Sequence, residues 1–137
     1  MPDQVARIRQ AGALHALRCE DAGLAAQRLA GALDGHEQTG SQSGIREDIL
    51  YAAELAVLAG RPEAALCLLS AHGAVMQRIG YVYHPVHRRL VDTIANTARR
   101  ELAVPVADAA WNRGKAMDEE EMLDLARRVV MGTLRPQ

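Results

Sequence analysis

The chain has 137 residues, 49% of them apolar, with 16 Lys and Arg against 17 Asp and Glu and a net charge of -1. That length is about one domain's worth and can bury a core without disulfides or a structural metal. The near-neutral balance argues against direct nucleic-acid binding and against an anionic membrane surface. No run of 18 apolar residues is present to span a bilayer.

Half the residues are apolar, yet Phe is absent, and the aromatics are Tyr51, Tyr81, Tyr83 and Trp111. Alanine fills the gap, at 25 positions. Ala is the strongest helix former, and its small side chain lets helix axes approach closely. β-branched residues never cluster in alternating runs, so the chain is expected to be all-α.

The first helix is expected from about Pro2 to Leu17, with Val5, Ile8, Ala11 or Gly12, and His15 on its apolar stripe. The second runs from near Asp21 to about Glu37, carrying Ala22, Ala25, Ala26, Leu29, Ala32 and Leu33 at helical spacing. Gln38 to Gly44 reads as a polar loop and the best candidate for local disorder. The third helix, about Ile45 to Ala59, is apolar nearly all round from Ile49 onward, as in a helix covered on more than one side. Gly60-Arg61-Pro62 stops that helix and starts the fourth, to about Ile79. Tyr81-Val82-Tyr83 crosses over to a fifth helix from Pro85, with Val86, Leu90, Val91, Ile94, Ala98 and Leu102 as its stripe. A sixth spans about Pro105 to Arg113. Gly114 is expected to end it in the left-handed conformation. Asp118 with Glu121 forms a capping box for a seventh helix holding Met122, Leu125, Ala126, Val129 and Val130.

A weak repeat aligns Asp21-Ala-Gly-Leu-Ala-Ala with Gly60-Arg-Pro-Glu-Ala-Ala at an offset of 39, and Gly40 and Gly80 lie 40 apart. A period near 40 with two helices per unit is solenoid-like, each hairpin stacking its apolar face on the next. The chain is thus expected to form one helical-repeat domain over 1–137, with hairpins at about 2–37 and 45–79. Helices five to seven, about 85–131, would cap it.

Ala56-Val-Leu-Ala-Gly-Arg-Pro-Glu-Ala-Ala resembles the small-residue signature of tetratricopeptide hairpins. The features that follow are Met76-Gln-Arg-Ile-Gly, His84-Pro85, an Arg-rich helix ending Ala98-Arg-Arg-Glu-Leu102, and Ala110-Trp-Asn-Arg-Gly-Lys-Ala-Met-Asp-Glu-Glu-Glu. This ordered series is similar to the C-terminal end of the tetratricopeptide-like region in LuxR-type and related STAND-like ATPase regulators of transcription. The likeness covers about residues 11–131. It implies a right-handed α-α superhelix closed by the Trp111 hinge. The chain departs from that pattern in having no Gly-rich Lys-Ser/Thr phosphate loop. Seven residues follow Val130, too few for a helix-turn-helix domain. The resemblance therefore implies the sensor and scaffold part alone, as a freestanding protein or as a fragment of a larger regulator.

Sites of chemistry are scarce. His84 and His87 sit three apart and lack third and fourth ligands nearby in sequence, so no metal is expected. His15 and His72 fall on apolar faces and read as interior or boundary residues, whereas His36 reads as exposed. Arg88, Arg89, Arg99 and Arg100 lie on one helix, the two pairs three turns apart on a shared face. Ser41, Ser43 and Ser70 lack a nucleophile-elbow context, so no catalytic residue and no cofactor is expected. Cys19 and Cys67 lack metal spacing and read as reduced thiols, with a disulfide only if their helices touch. The polar Met-Pro-Asp-Gln start has no apolar signal core, and cytoplasmic residence is expected.

These readings converge on a non-catalytic protein–protein interaction module of regulatory character. In tetratricopeptide-like arrays the first helix of each hairpin lines the concave face, which nominates Glu47, Tyr51 and Glu54, with Arg88 and Arg89, as partner contacts. Trp111 is expected to fill the junction of helices five to seven. The uncovered first helix suggests self-association, with a homodimer as the simplest form. The alternative is a small-ligand sensor with a pocket between the hairpins and the capping helices, lined by Met76, Tyr81, Tyr83 and His84.

Overall fold

A computed structural model describes residues 2–134, with only the backbone described for Pro2 and Asp3; residue 1 and residues 135–137, at the ends of the expected domain, lie outside the described residues. Seven helices account for nearly all of it: α1 Pro2–Arg18, α2 Ala22–Thr39, α3 Gln42–Leu58, α4 Pro62–Arg78, α5 Pro85–Arg100, α6 Val104–Lys115 and α7 Glu119–Leu134. The protein is all-α, with no strand among the described residues. None of these helices is long and apolar enough to cross a membrane.

The first four helices start at Pro2, Ala22, Gln42 and Pro62, twenty residues apart. The turns between them share one device. Glu20, Gly40, Gly60 and Gly80 all hold positive φ, between 57° and 75°. A left-handed residue closes a helix by folding the next amide back onto its last carbonyls; Gly40 does so onto Glu37 and His36. The hairpin period is therefore 40 rather than 39. The expected polar loop 38–44 shrinks to Gly40 and Ser41, because Ser41 caps α3 by accepting from the Gly44 amide. A single left-handed residue and a single capping residue suffice to turn the chain.

α1 pairs closely with α2, α3 with α4, and α2 also packs on α3. The α1 expectation is corrected. Ala6, Ala13, Ala16 and Leu17 face inward, while Ile8 is 70% exposed and Val5 42%. The inner face is made of small residues because α1 lies almost on the backbone of α2: a Cβ added to Gly35 would stand 2.8 Å from that of Ala6. Larger side chains are sterically excluded there, and the branched ones face outward.

Gly114 is likewise not a helix stop. It is buried inside α6, which runs on to Lys115. A Cβ there would fall 2.3 Å from the Cys67 carbonyl oxygen of α4. Around this point Cys67 Sγ donates to the Ala110 carbonyl (3.1 Å) and Ser70 Oγ to that of Trp111 (2.6 Å). The glycine thus lets α6 lie backbone-to-backbone along α4.

The Asp118–Glu121 capping box forms as expected: Glu121 N donates to Asp118 Oδ1 (2.8 Å) and Asp118 N to Glu121 Oε1 (3.2 Å). It launches α7 back across α2, α3 and α4 instead of continuing the stack. Met122, Ala126, Val129 and Val130 bury the inner face of α7. Arg127 binds Asp34 (3.1 Å) and Glu37 (2.5 Å) of α2, and Arg46 of α3 binds Glu119 (2.8 Å).

Candidate functional site

α1, α3 and α5 share one side of the molecule, and an open groove of about 420 Å³ runs between them. α1 contributes Leu14 and Arg18, α3 contributes Tyr51 and Glu54, and α5 contributes Val86, His87, Arg89, Leu90 and Thr93. The spacing explains the convergence. Residues three and four apart on a helix share a face, so Tyr51 with Glu54, and Val86 with Arg89, Leu90 and Thr93, present together. A second cleft of about 190 Å³ continues the groove past Glu54, Leu90 and Thr93 toward Leu17 and Thr97.

Three of the five nominated contacts, Tyr51, Glu54 and Arg89, line this groove. Tyr51 is buried in its floor, and that burial, aided by Glu47 and Glu54, pushes its hydroxyl pKa up. Glu54 pairs with Arg18 through Oε1, while Oε2 is buried without a hydrogen-bond partner. Glu47 does not line the groove; it lines a separate cavity beside α4, its Oε2 3.6 Å from His87 Nε2. Arg88 does not reach the groove; it points along α5 toward Asp92, at 3.9 Å. The expected common arginine face is divided in the same way. Arg99 is held by Asp108 (3.2 Å) and stands 5.5 Å over the Trp111 ring. Trp111, partly buried against the core, is thus covered by an α5 side chain at the α5–α6 junction.

The four residues nominated for a ligand pocket separate. Met76 and Tyr81 line a cavity of about 300 Å³ between α3, α4 and the link to α5. Tyr83 lies behind it, with its hydroxyl 2.7 Å from His72 Nδ1 and its ring stacked on the imidazole. His84 is on the surface and caps α5, its Nδ1 accepting from the Val86 amide at 3.4 Å. Burial raises the Tyr83 pKa to about 12. Burial also lowers His72 to about 4, against a smaller upward pull from the Arg46 backbone, so the imidazole is neutral at physiological pH.

His36 is corrected from exposed to buried, at 2% exposure. Its Nδ1 lies 2.5 Å from Asp48 Oδ2, and Gln10 Nε2 donates to Asp48 Oδ1 at 2.8 Å. This triad joins α1, α2 and α3. Burial raises Asp48 to about 6, opposed by the hydrogen bonds from His36 and Gln10. Sequence spacing carries no sign of it, since its members lie 12 and 38 residues apart. His15, read as interior or boundary, is exposed, 3.7 Å from Cys19 Sγ. Both cysteines are free, Cys19 exposed and Cys67 buried.

The arrangement is an open groove that combines a buried phenol, the Arg18–Glu54 pair, the Arg89 guanidinium and the apolar side chains of Leu14, Val86 and Leu90. Among the described residues no three His, Cys, Asp or Glu side chains converge as a metal site. Ser41 and Ser70 are engaged in capping and in the α4–α6 contact. No protein-family model, curated protein or solved structure matches the chain.

Proposed function

We propose that this chain is a non-catalytic protein–protein interaction module whose partner lies in the groove between α1, α3 and α5. The observation that carries the reading is the convergence of Tyr51, Glu54 and Arg89 from two helices on one open groove. Arg18 is already paired with Glu54, whereas no ion pair holds Arg89 among the described residues. The groove therefore suits a helical or extended segment with an apolar row over Tyr51 and Leu90 and an acidic residue facing Arg89. The resemblance of residues 11–131 to the scaffold region of LuxR-type regulators supports a regulatory, cytoplasmic role for such binding.

Selection of displayed peptides on the whole chain tests this. The expected binders carry an acidic residue, and Arg89→Glu weakens them about tenfold, the scale of a lost charge-assisted contact. Binding that is indifferent to Arg89→Glu and Glu54→Lys sinks the groove as the partner surface.

A second reading rests on α1, whose outer face exposes Val5 and Ile8. Exposed branched side chains on one helix face suit pairing with a second copy. Sedimentation equilibrium is expected to show a dimer that Ile8→Glu dissociates. A strict monomer at high concentration rejects it.

A further inference from the structure

The outward face of α1 carries more than Val5 and Ile8. Val5, Ile8, Gly12, His15 and Cys19 follow one another at spacings of three, four, three and four. Side chains at that spacing line the a and d positions of a two-stranded coiled coil, where each meets its counterpart across a parallel seam. Val5 is 42% exposed and Ile8 70%, and His15 and Cys19 are exposed as well. Gly12 between them is overlaid only by the flexible end of Arg28, an exposed side chain of α2. Cys19 lies just past α1 but keeps its register, since its amide donates to the His15 carbonyl at 3.0 Å.

The far end of this stripe is a pair of metal-binding side chains. His15 Nε2 lies 3.7 Å from Cys19 Sγ, and neither side chain has another partner among the described residues. A tetrahedral zinc ion holds sulfur at ~2.3 Å and nitrogen at ~2.0–2.1 Å, which sets two such ligands about 3.6 Å apart. The pair thus already stands at the bite of one ion. Its i, i+4 spacing is what brings both donors to one helical face. A thiolate beside an imidazole suits zinc, whereas magnesium and calcium take oxygen ligands. Two ligands are half of a closed site, and no third His, Cys, Asp or Glu completes it among the described residues.

Building on the α1 pairing above, and dependent on it, we propose that two copies of this chain pair in parallel along α1 and share one zinc ion, bound by His15 and Cys19 of each copy. Two thiolates and two imidazoles make a closed tetrahedral site. Each thiol gives its proton to solvent on coordination, and each imidazole binds through an unprotonated Nε2. The two thiolates balance the charge of the ion. Val5 and Ile8 alone are a short apolar row beside the ~20–30 residues a side of a standard interface. The metal supplies what that row lacks, so association is linked to the ion.

The test is sedimentation equilibrium of the full chain under a phosphine reductant, with chelator, with zinc, and with cobalt(II) as a spectroscopic probe. Zinc is expected to tighten the dimer at least about tenfold, at one ion per two chains. Cobalt is expected to give the visible bands of a tetrahedral site together with a sulfur-to-metal transition in the near ultraviolet. Cys19→Ser and His15→Ala, both at exposed positions outside the core, are expected to remove the zinc effect and these bands. Ile8→Glu is expected to weaken the dimer with and without metal. A chelator-resistant dimer on which zinc has no effect overturns the shared site and leaves the α1 pairing standing. A strict monomer in every condition overturns both, even where it binds one ion per chain. A zinc-dependent dimer that survives Cys19→Ser overturns the site in favour of another surface pair, such as His84 and His87.

Discussion

Two buried histidines organise this molecule in opposite ways. His36 and His72 are equally hidden, at 2% and 1% exposure, and each has one nitrogen on an oxygen partner. The His36 centre is closed. Asp48 answers it, Gln10 answers the other carboxylate oxygen, and Gly44 presses against the ring so tightly that a Cβ would stand 2.5 Å from Cδ2. The His72 centre is looser: Tyr83 answers Nδ1, while Nε2 is buried without a hydrogen bond of good geometry. A polar group buried with its partners fastens helices together, whereas one short of a partner costs stability. The same residue type thus joins three helices in one half of the molecule and a helix to the following link in the other.

The largest test of the comparison is removal of the closed centre's carboxylate. Asp48→Ala leaves the buried His36 and the half-buried Gln10 without their acceptor, and losing one member of a buried pair costs about 3–5 kcal/mol. Urea unfolding followed by circular dichroism reads this directly. A loss below about 1 kcal/mol would show that water already reaches the triad, and the distinction between closed and looser would fail.

Acidity separates the two centres by sign. Asp48 has its folded pKa raised from 3.8 to about 6, so its contribution is present below pH 3.8 and lost as pH rises through 6. His72 has its folded pKa lowered from 6.5 to about 4, so its contribution is present above pH 6.5 and lost as pH falls through 4. Each shift corresponds to about 3 kcal/mol at 1.36 kcal/mol per unit, and over pH 4–6 the two slopes oppose. The wild-type difference from these groups is therefore nearly flat. In His72→Asn the Asp48 slope stands alone, and stability relative to wild type is expected to improve toward pH 4. In Asp48→Asn the His72 slope stands alone, and stability relative to wild type is expected to worsen toward pH 4. Parallel pH profiles in the two variants would refute the assignment of opposite signs.

Much of this architecture is legible in the chain. Asp21, Pro62, Pro85 and the Asp118–Glu121 box start helices where their chemistry predicts, and the groove residues Tyr51 and Glu54 follow from helical spacing. What spacing hides is anything that depends on how closely two helices approach. The buried face of α1 is the less hydrophobic one, Ala6 and Ala13 with Gln10 between them, because α2 leaves no room for Val5 or Ile8. Gly114 reads as a stop but serves as a contact point with the α4 backbone. His36 and His72 look alike until the third dimension supplies Asp48 to one and a cavity to the other. A polar residue on a helix acquires its role from its neighbour across the interface, and that neighbour is distant in sequence.

The smallest and sharpest test compares two glycines. Gly44 borders the closed centre and Gly73 the looser one, and both lie within helices. In a helix interior, where Gly73 lies, Ala is favoured over Gly by about 0.5–1 kcal/mol, and Gly44, in the first turn of α3, begins with at most that gain. At Gly44 the new methyl meets the His36 ring, with three ring atoms within 2.7 Å. The imidazole cannot retreat without stretching its bond to Asp48, so overpacking costs about 1–3 kcal/mol and the net effect is destabilising. At Gly73 the nearest atom is the Tyr83 hydroxyl oxygen at 3.7 Å, an ordinary contact, so the helical gain survives. Gly44→Ala is expected to lower the denaturation midpoint and Gly73→Ala to raise it slightly. If both moved in the same direction, packing around the two histidines would be alike, and the looser centre at His72 would be no different from the closed one at His36.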